Sequence, residues 1–130
     1  MREIYLKGFK IAIEESHPIA LMTSYNLING IHSSQNKQLL IDVLRSEWKY
    51  SGLIMSDWIY SNFTAYKVSK HPAQNAMDNI KGGNNLHMGG DKNDYLLLVN
   101  SLKEGKLTRD DLLQCASKVY ETIDLLKNKE

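Results

Sequence analysis

The sequence is poor in the features that mark disulfide-rich, membrane-spanning or nucleic-acid-binding proteins. Its single cysteine, Cys115, excludes an internal disulfide and a multi-thiolate metal cluster. No apolar run approaches the ~20 residues needed to cross a bilayer, and the N-terminus lacks a signal-peptide pattern. Lysine and arginine number 16 against 15 acidic residues, and the basic residues are dispersed among the acids. We therefore expect a soluble globular unit, leaning toward the cytoplasm unless a segment upstream carries a signal, with neither a nucleic-acid nor a membrane partner.

Apolar residues recur at helical spacing in some segments and as short continuous runs in others. Short apolar runs between amphipathic helices are typical of buried parallel strands. The repeat of about 30 residues per strand–helix unit predicts an α/β fold with a parallel sheet. Ser34 or Asn36 is expected to cap the second helix, and Thr108 the last. The predicted elements are a helix at 3–16, a strand at 19–24, a helix at 35–50, a strand at 53–56, a weaker helix at 72–81 with a strand at 85–88, and helices at 92–104 and 108–128.

Three strands are few for such a sheet. A complete (β/α)8 barrel takes about 250 residues, roughly twice the length of this chain. We therefore interpret residues 1–130 as a single incomplete barrel unit, a partial TIM-type (β/α)8 barrel. Such a unit leaves apolar strand edges and helix faces open unless something covers them.

Polar side chains follow each predicted strand, at the edge where α/β proteins collect their functional groups. The segments are Thr23-Ser24-Tyr25-Asn26, Ser56-Asp57-Trp58 and His87-Met88-Gly89-Gly90. Asp57 directly follows the apolar run 53–56, which in this geometry places its carboxylate at the floor of a pocket. The pattern alone leaves two interpretations open, a catalytic carboxylate or a cap for the following turn.

Neither a metal nor an organic cofactor is indicated. The four histidines are too scattered for a motif such as His-Glu-x-x-His, and we expect surface or loop positions for His17, His32, His71 and His87. His87 is the first to inspect, since it lies at a strand end. The paired glycines lack the spacing of a phosphate-binding loop, and Cys115 is expected to be a small buried core residue rather than a reactive thiol.

Several motifs, in order and over essentially the whole chain, resemble the last part of the catalytic barrel of glycoside hydrolase family 3. Each is weak alone, but together they are specific. The matching segments are Arg2–Phe9, Met22-Thr23-Ser24-Tyr25-Asn26 with Asn29-Gly30, Leu44–Trp48 with Gly52–Trp58, Ile80–Met88, and the run SLKEGKL that ends at Leu107. The resemblance implies that the chain holds about the last three parallel strands of the barrel, with their helices.

The resemblance further implies a retaining β-glycosidase, β-glucosidase-like, that hydrolyses terminal β-linked sugars, with a β-glucoside or related small saccharide as its partner. Asp57 would attack the anomeric carbon and form a covalent glycosyl-enzyme intermediate. Trp58 would form an aromatic wall for the sugar, Tyr25 would hydrogen-bond the carboxylate or stabilise charge, and Met22 would line the pocket. The alternatives are ordinary packing for Trp58, a buried Tyr25 whose hydroxyl meets a backbone group, and a core position for Met22. The tryptophan favours the glucosidase/xylosidase branch over the N-acetylhexosaminidases.

The third strand end departs from the family pattern. Asn85 stands where the family usually has aspartate, and Gly89 where it usually has proline. Gly82 replaces the usual alanine, a change that we expect to be mild. These departures put the third strand end in doubt but leave the position of Asp57 unaffected.

The residues that the family pairs with its nucleophile have no match in this chain. A Lys-His pair and an acidic residue come from the first half of the barrel, and the acid/base glutamate comes from a following domain. Glu104, Glu121 and Glu130 match no acid/base motif. We therefore expect the isolated chain to be catalytically silent or nearly so. The rival interpretations are a truncated, silent fragment and an α/β module that self-associates through its exposed half-barrel edges.

Overall fold

The computed structural model describes residues 1–58 and 73–128 of the chain. A π-helical turn at Arg2–Leu6 runs into helix α1 (Lys7–Ser16), as the apolar spacing predicts. The elements that follow are strand β1 (Ala20–Thr23), strand β2 (Leu27–Ile28), strand β3 (Ile31–His32), a 3-10 turn at Ser33–Gln35, the π-helix Gln38–Glu47 (called the central helix below), strand β4 (Leu53–Ser56), and helices α2 (Ala76–Gly82), α3 (Lys92–Lys103) and α4 (Arg109–Lys127).

The main sheet is parallel, as predicted. Strands β1 and β4 pair in register from Ala20↔Leu53 to Thr23↔Ser56. On the other side of β4, Leu86 forms a single parallel bridge with Met55. The predicted strand at 85–88 is therefore reduced to one bridge. The side-chain oxygen of Asn85 accepts the Ile54 N–H at 3.0 Å, so that a side chain takes a hydrogen bond of the strand ladder.

A short hairpin follows β1, and the sequence did not predict it. Strands β2 and β3 pair antiparallel through Leu27↔His32 and Ile28↔Ile31. Asn29 and Gly30 between them have φ values of 53° and 82°. Asn-Gly with both residues at positive φ is typical of the tight turn whose twist matches paired strands. The strands are only two residues long, too short to give an alternating pattern in the sequence.

The core lies between α1, the central helix and β4. Its buried apolar residues are Ile13, Leu40, Leu44, Tyr50 and Ile54. Strand β4 is covered on both faces, as a strand with neighbours on either side should be. Strand β1 is not, because Ala20 and Met22 are exposed while Thr23 is buried. The described residues cover only one face of β1. The prediction that β1 is buried on both faces is therefore wrong for this part of the chain.

Side-chain caps fix where the helices begin. The central helix is capped by Asn36, whose Oδ1 accepts the Leu39 N–H at 3.0 Å, and not by Ser34. Thr108 caps α4, as the sequence predicts, and it forms a reciprocal capping box with Asp111. Helix α2 begins at residue 76, later than expected, because the Asn75 side chain accepts a hydrogen bond from the Asp78 N–H and ends the preceding extended segment.

Gly82 is held against the backbone of the 3-10 turn. A Cβ at this position would lie 2.6 Å from both Cα and the carbonyl carbon of Gln35, which real Cβ atoms do not tolerate. The expectation that alanine and glycine are nearly equivalent here is therefore wrong. The local sequence pattern could not predict this contact, because the two segments that approach each other are far apart in sequence.

Candidate active site

The three strand ends meet at one edge of the sheet. The Asp57 N–H donates to the carbonyl of Thr23 at 3.2 Å, and the Ser56 N–H donates to the carbonyl of Leu86 at 2.9 Å. These bonds follow from the parallel register, in which the carboxyl ends of neighbouring strands lie side by side. The three strand ends therefore lie side by side next to Asp57, with Leu86 alone representing the third strand.

Asp57 lies at the end of the central strand, half-buried. Its Oδ1 accepts the Trp58 N–H at 2.7 Å, which is the local turn contact that the capping interpretation expects. Within residues 1–58 and 73–128, Oδ2 has no hydrogen-bond partner. The carboxylate is therefore oriented through one of its two oxygens.

Tyr25 reaches the backbone beside Asp57. Its hydroxyl donates to the carbonyl oxygen of Trp58 at 2.7 Å, and the residue is 41% exposed. The backbone contact agrees with the alternative interpretation, whereas the burial that it supposed is wrong. The bond ties the loop after β1 to the residue that follows Asp57.

Trp58 and Met22 lie at the exposed side of the same edge. Trp58 is 49% exposed and Met22 is 63% exposed. Within the described residues, neither side chain is part of the core, so the alternative of a core position for Met22 is wrong. Their contact with a sugar stays a prediction.

A network of buried polar side chains lies beneath the edge of the sheet that carries Asp57. The Thr23 hydroxyl donates to Asn84 Oδ1 at 3.3 Å, and Asn84 Nδ2 donates to the backbone carbonyl of Ser34. The Ser34 hydroxyl in turn donates to Gln74 Oε1 at 2.5 Å. His32 is buried beside them, with Nδ1 3.0 Å from the carbonyl of Tyr25. Because buried polar groups need partners, this network fixes the loop that carries Tyr25.

Of the three histidines that the structure describes, His32 is buried and His87 has a largely covered side chain. The His87 side chain is 8% exposed, with Nε2 3.2 Å from Asp94 Oδ2 and Nδ1 3.0 Å from Asn79 Nδ2. The expectation of a surface or loop position is therefore wrong for His32, which lies buried in strand β3, and holds for His87, which lies in a loop although its side chain contacts α2 and α3. His17 is exposed after α1, and His71 lies outside the described residues.

Arg45 forms hydrogen bonds to the third strand end and to the backbone that precedes strand β4. Its Nη1 donates to the carbonyls of Tyr50 at 2.9 Å and Gly52 at 2.6 Å, and its Nη2 donates to Asn85 Oδ1 at 2.8 Å. Burial lowers the pKa of the Arg45 guanidinium, with the Tyr50 ring 5.3 Å away. Asn85, the main departure from the family pattern, thus has a definite structural role here.

The described residues contain no set of three or more His, Cys, Asp or Glu side chains placed to hold a metal ion. Cys115 is half-buried, its Sγ lies 3.4 Å from the carbonyl of Asn84, and burial is the main cause that raises the pKa of its thiol. A raised pKa disfavours the thiolate, in keeping with a packing residue. In the part of the chain that the structure describes, no helix has the length and apolar character of a membrane span.

The chain is similar to several known proteins. The family model described as "Glycosyl hydrolase family 3 N terminal domain" matches residues 1–122. Beta-glucosidase B of Emericella nidulans is 42% identical over 127 residues, which are 95% of this chain and 13% of that protein. A β-glucosidase of Kluyveromyces marxianus is 52% identical over 68 residues, 52% of this chain and 8% of that protein. The chain belongs to glycosyl hydrolase family 3.

Solved structures of β-glucosidases resemble the fold of this chain. The β-glucosidase of Kluyveromyces marxianus superposes with a TM-score of 0.80 at 33% identity, covering 98% of this chain and 15% of that one. β-Glucosidase 3B of Thermotoga neapolitana, solved with glycerol, gives 0.77 at 35% identity, covering 94% and 16%. The predicted α/β partial (β/α)8 barrel is thereby confirmed. The chain spans about 13% of the length of the first of these relatives.

Proposed function

We propose that this chain supplies Asp57 as the catalytic nucleophile of a retaining, β-glucosidase-like enzyme that hydrolyses terminal β-linked sugars. The observation that carries the proposal is the position of Asp57, at the end of the central strand and between the ends of both neighbours. Its Oδ1 is oriented by the Trp58 N–H, and Oδ2 points to no partner in the described residues. The relatives named β-glucosidases supply the substrate class.

In this proposal Asp57 reacts in two steps. Its ionised carboxylate attacks the anomeric carbon as the bond to the leaving oxygen breaks, and water later hydrolyses the glycosyl ester. A second carboxyl group about 5–5.5 Å away must protonate the leaving oxygen in a retaining enzyme. A structure of the Kluyveromyces marxianus relative was solved with glucose, which agrees with a sugar ligand for the family.

Three neighbours complete the proposed sugar site. Trp58, half-exposed, would lie against the apolar face of the sugar ring, and the exposed Met22 would border the same site. Tyr25 would hold the Trp58 backbone through its 2.7 Å hydrogen bond and so keep the indole at the edge.

We also propose that the isolated chain is silent or nearly so, because the family resemblance places the acid/base glutamate and part of the sugar site in segments that have no match in this chain. Glu104 pairs with Lys106 at 2.7 Å after α3, and Glu121 pairs with Lys118 on α4, both exposed to solvent. Glu130 lies outside the described residues. Loss of a general acid costs typically about 10²–10⁴-fold in rate, so the acid/base must come from residues other than these.

The experiment grafts the chain into an active relative. Residues 1–128 replace the matching segment of the Kluyveromyces marxianus β-glucosidase, and hydrolysis of 4-nitrophenyl β-glucoside is measured. We expect activity in the graft and a loss of roughly 10³-fold or more with Asp57→Asn. The matched control is Asp42→Asn, an exposed carboxylate on the central helix, which should leave the rate unchanged. Equal activity of the graft with and without the Asp57 carboxylate would refute the proposal.

A second proposal concerns the isolated chain, which we expect to self-associate through apolar surface. Tyr5 and Phe9 on the N-terminal helical segment, Met22 on β1 and Tyr120 on α4 are all largely exposed. Exposed apolar patches of this kind favour association. Light scattering between about 10 and 200 μM should show a rising mass, while a constant monomer mass of about 15 kDa over the whole range would rule the proposal out.

A further inference from the structure

The hydroxyl of Ser56 bridges two backbone groups directly beside Asp57. It donates to the Asp57 carbonyl at 2.9 Å and accepts the Met88 N–H at 2.8 Å. Ser56 is completely buried, at 0% exposure. Within the described residues, the Asp57 carbonyl and the Met88 N–H have no hydrogen-bond partner other than this hydroxyl.

The Ser56 bridge and a backbone hydrogen bond on the β1 side together restrain Asp57 from both neighbouring strand ends. The Asp57 N–H is held by the Thr23 carbonyl at 3.2 Å, on the β1 side. Its carbonyl is held through Ser56 by Met88, on the side of the third strand end. The backbone on either side of the Asp57 Cα is therefore restrained, and the direction of Cβ with it, while the Trp58 N–H holds Oδ1 of the carboxylate.

We propose that Ser56 is a positioning residue for Asp57, whose buried hydroxyl links the Asp57 carbonyl to Met88 and so holds the carboxylate in line for attack. This inference rests on the proposed function, because it assigns a purpose to the orientation of the nucleophile. Ser56 does not touch the sugar, and it acts through the backbone of Asp57 alone.

Ser56 should matter because the rate of attack by Asp57 on the anomeric carbon depends steeply on the position of the carboxylate. A misplacement of about 1 Å at a reacting group costs on the order of 10²-fold in rate. Ser56→Ala leaves the Asp57 carbonyl and the Met88 N–H without this partner and frees the peptide after Asp57 to rotate. Binding of the sugar should change little, since Ser56 contributes no contact to it.

The test measures the reaction of Asp57 itself, using the graft described above and 2,4-dinitrophenyl 2-deoxy-2-fluoro-β-glucoside. The Asp57 carboxylate forms a bond to the anomeric carbon, the bond to the aryl oxygen breaks, and dinitrophenolate leaves with the electron pair. This leaving group needs no proton, so the rate reports the nucleophile rather than the acid. The labelling rate constant, the probe's dissociation constant and the final adduct per protein are read from intact mass against time.

We expect Ser56→Ala to lower the labelling rate constant by about 10- to 100-fold, with a dissociation constant within about twofold and complete final labelling. A mere loss of folded protein would instead lower the final adduct and leave the rate constant unchanged. Ser56→Thr keeps the hydroxyl and should label within about threefold of the parent rate. Ser46→Ala, an exposed serine on the central helix, is the matched control and should change nothing.

A second readout uses the 130-residue chain itself. Amide hydrogen exchange at Met88 should accelerate by about tenfold or more in Ser56→Ala, and not in Ser46→Ala. An unchanged labelling rate constant in Ser56→Ala, or unchanged Met88 exchange, would overturn the inference. Failure of the parent graft to label at all would instead overturn the proposed function, and this inference with it.

Discussion

Arg45 and Asn85 are joined by a hydrogen bond of 2.8 Å from Nη2 to Oδ1, and the same oxygen accepts the Ile54 N–H at 3.0 Å. One amide oxygen therefore joins the central helix, strand β4 and the third strand end. The family resemblance would place an aspartate at this position. The described residues offer Arg45 no carboxylate partner, and burial lowers the pKa of its guanidinium.

Asn85→Asp should stabilise the chain at neutral pH. The introduced carboxylate can accept the same two hydrogen bonds with a full charge, which strengthens both, so we expect the free energy of unfolding to rise by about 1–2 kcal/mol. Pairing with Arg45 depresses the pKa of this carboxyl in the folded state, so the gain should be present above about pH 4 and fade as the pH falls below it. Urea denaturation at pH 7 and pH 3 measures both effects. The control is Asn100→Asp, an exposed site on α3, and equal stability of Asn85→Asp and the parent would contradict the account.

Tyr25→Phe should impair the proposed site more than the fold. It removes the hydroxyl that holds the Trp58 carbonyl at 2.7 Å. At a half-exposed site the loss of unfolding free energy should not exceed about 1 kcal/mol. The hydrolysis rate of the graft should fall by about tenfold, since the indole and the peptide after Asp57 lose an anchor. Tyr120→Phe on α4 serves as the control, and identical rates for the two variants would show that the Tyr25 hydroxyl is dispensable.

Two glycines in helices should respond to alanine in opposite directions. Gly82→Ala places a methyl group 2.6 Å from the Gln35 backbone, and we expect a loss of about 1–3 kcal/mol in the free energy of unfolding. Gly8→Ala, in α1, meets nothing within 4 Å and should gain about 0.5–1 kcal/mol from helix propensity. Thermal and urea denaturation of the two variants test the pair. A neutral or stabilising Gly82→Ala would mean that the 3-10 turn is not packed against α2 as described.

Asp111 should make the stability of α4 depend on pH. Hydrogen bonds from the Thr108 backbone and side chain lower the pKa of its carboxyl from the usual 3.8. A depressed folded-state pKa contributes stability above the unfolded value, and this is lost as the pH falls through the folded value. Asp111→Asn should therefore destabilise the chain at pH 7, by no more than about 1 kcal/mol because solvent screens this largely exposed carboxyl, and by less at pH 3. Asp110→Asn, in the same turn but outside the capping box, should cost less at pH 7; equal costs for both would argue against the box.

The sequence predicted what depends on neighbours along the chain. The apolar run before Asp57 identified a strand and its carboxyl end, and Thr108 with Asp111 identified a helix start. Contacts between distant segments could not be predicted in this way. The contacts of His87 with α2 and α3, the approach of Gly82 to Gln35, and the bridge from Ser56 to Met88 all arise where separate elements meet. The shrinkage of the third strand to Leu86 has the same origin, because a side chain of Asn85 replaces a backbone partner.

The role of Asp57 as nucleophile is tested most directly by locating the covalent sugar. The graft is labelled to completion with the fluorinated glucoside, digested, and mapped by tandem mass spectrometry. We predict a single 2-deoxy-2-fluoroglucosyl adduct on the side chain of Asp57, absent from Asp57→Asn and retained in Asp42→Asn. An adduct on any other carboxylate, while Asp57 stays unmodified, would contradict the account.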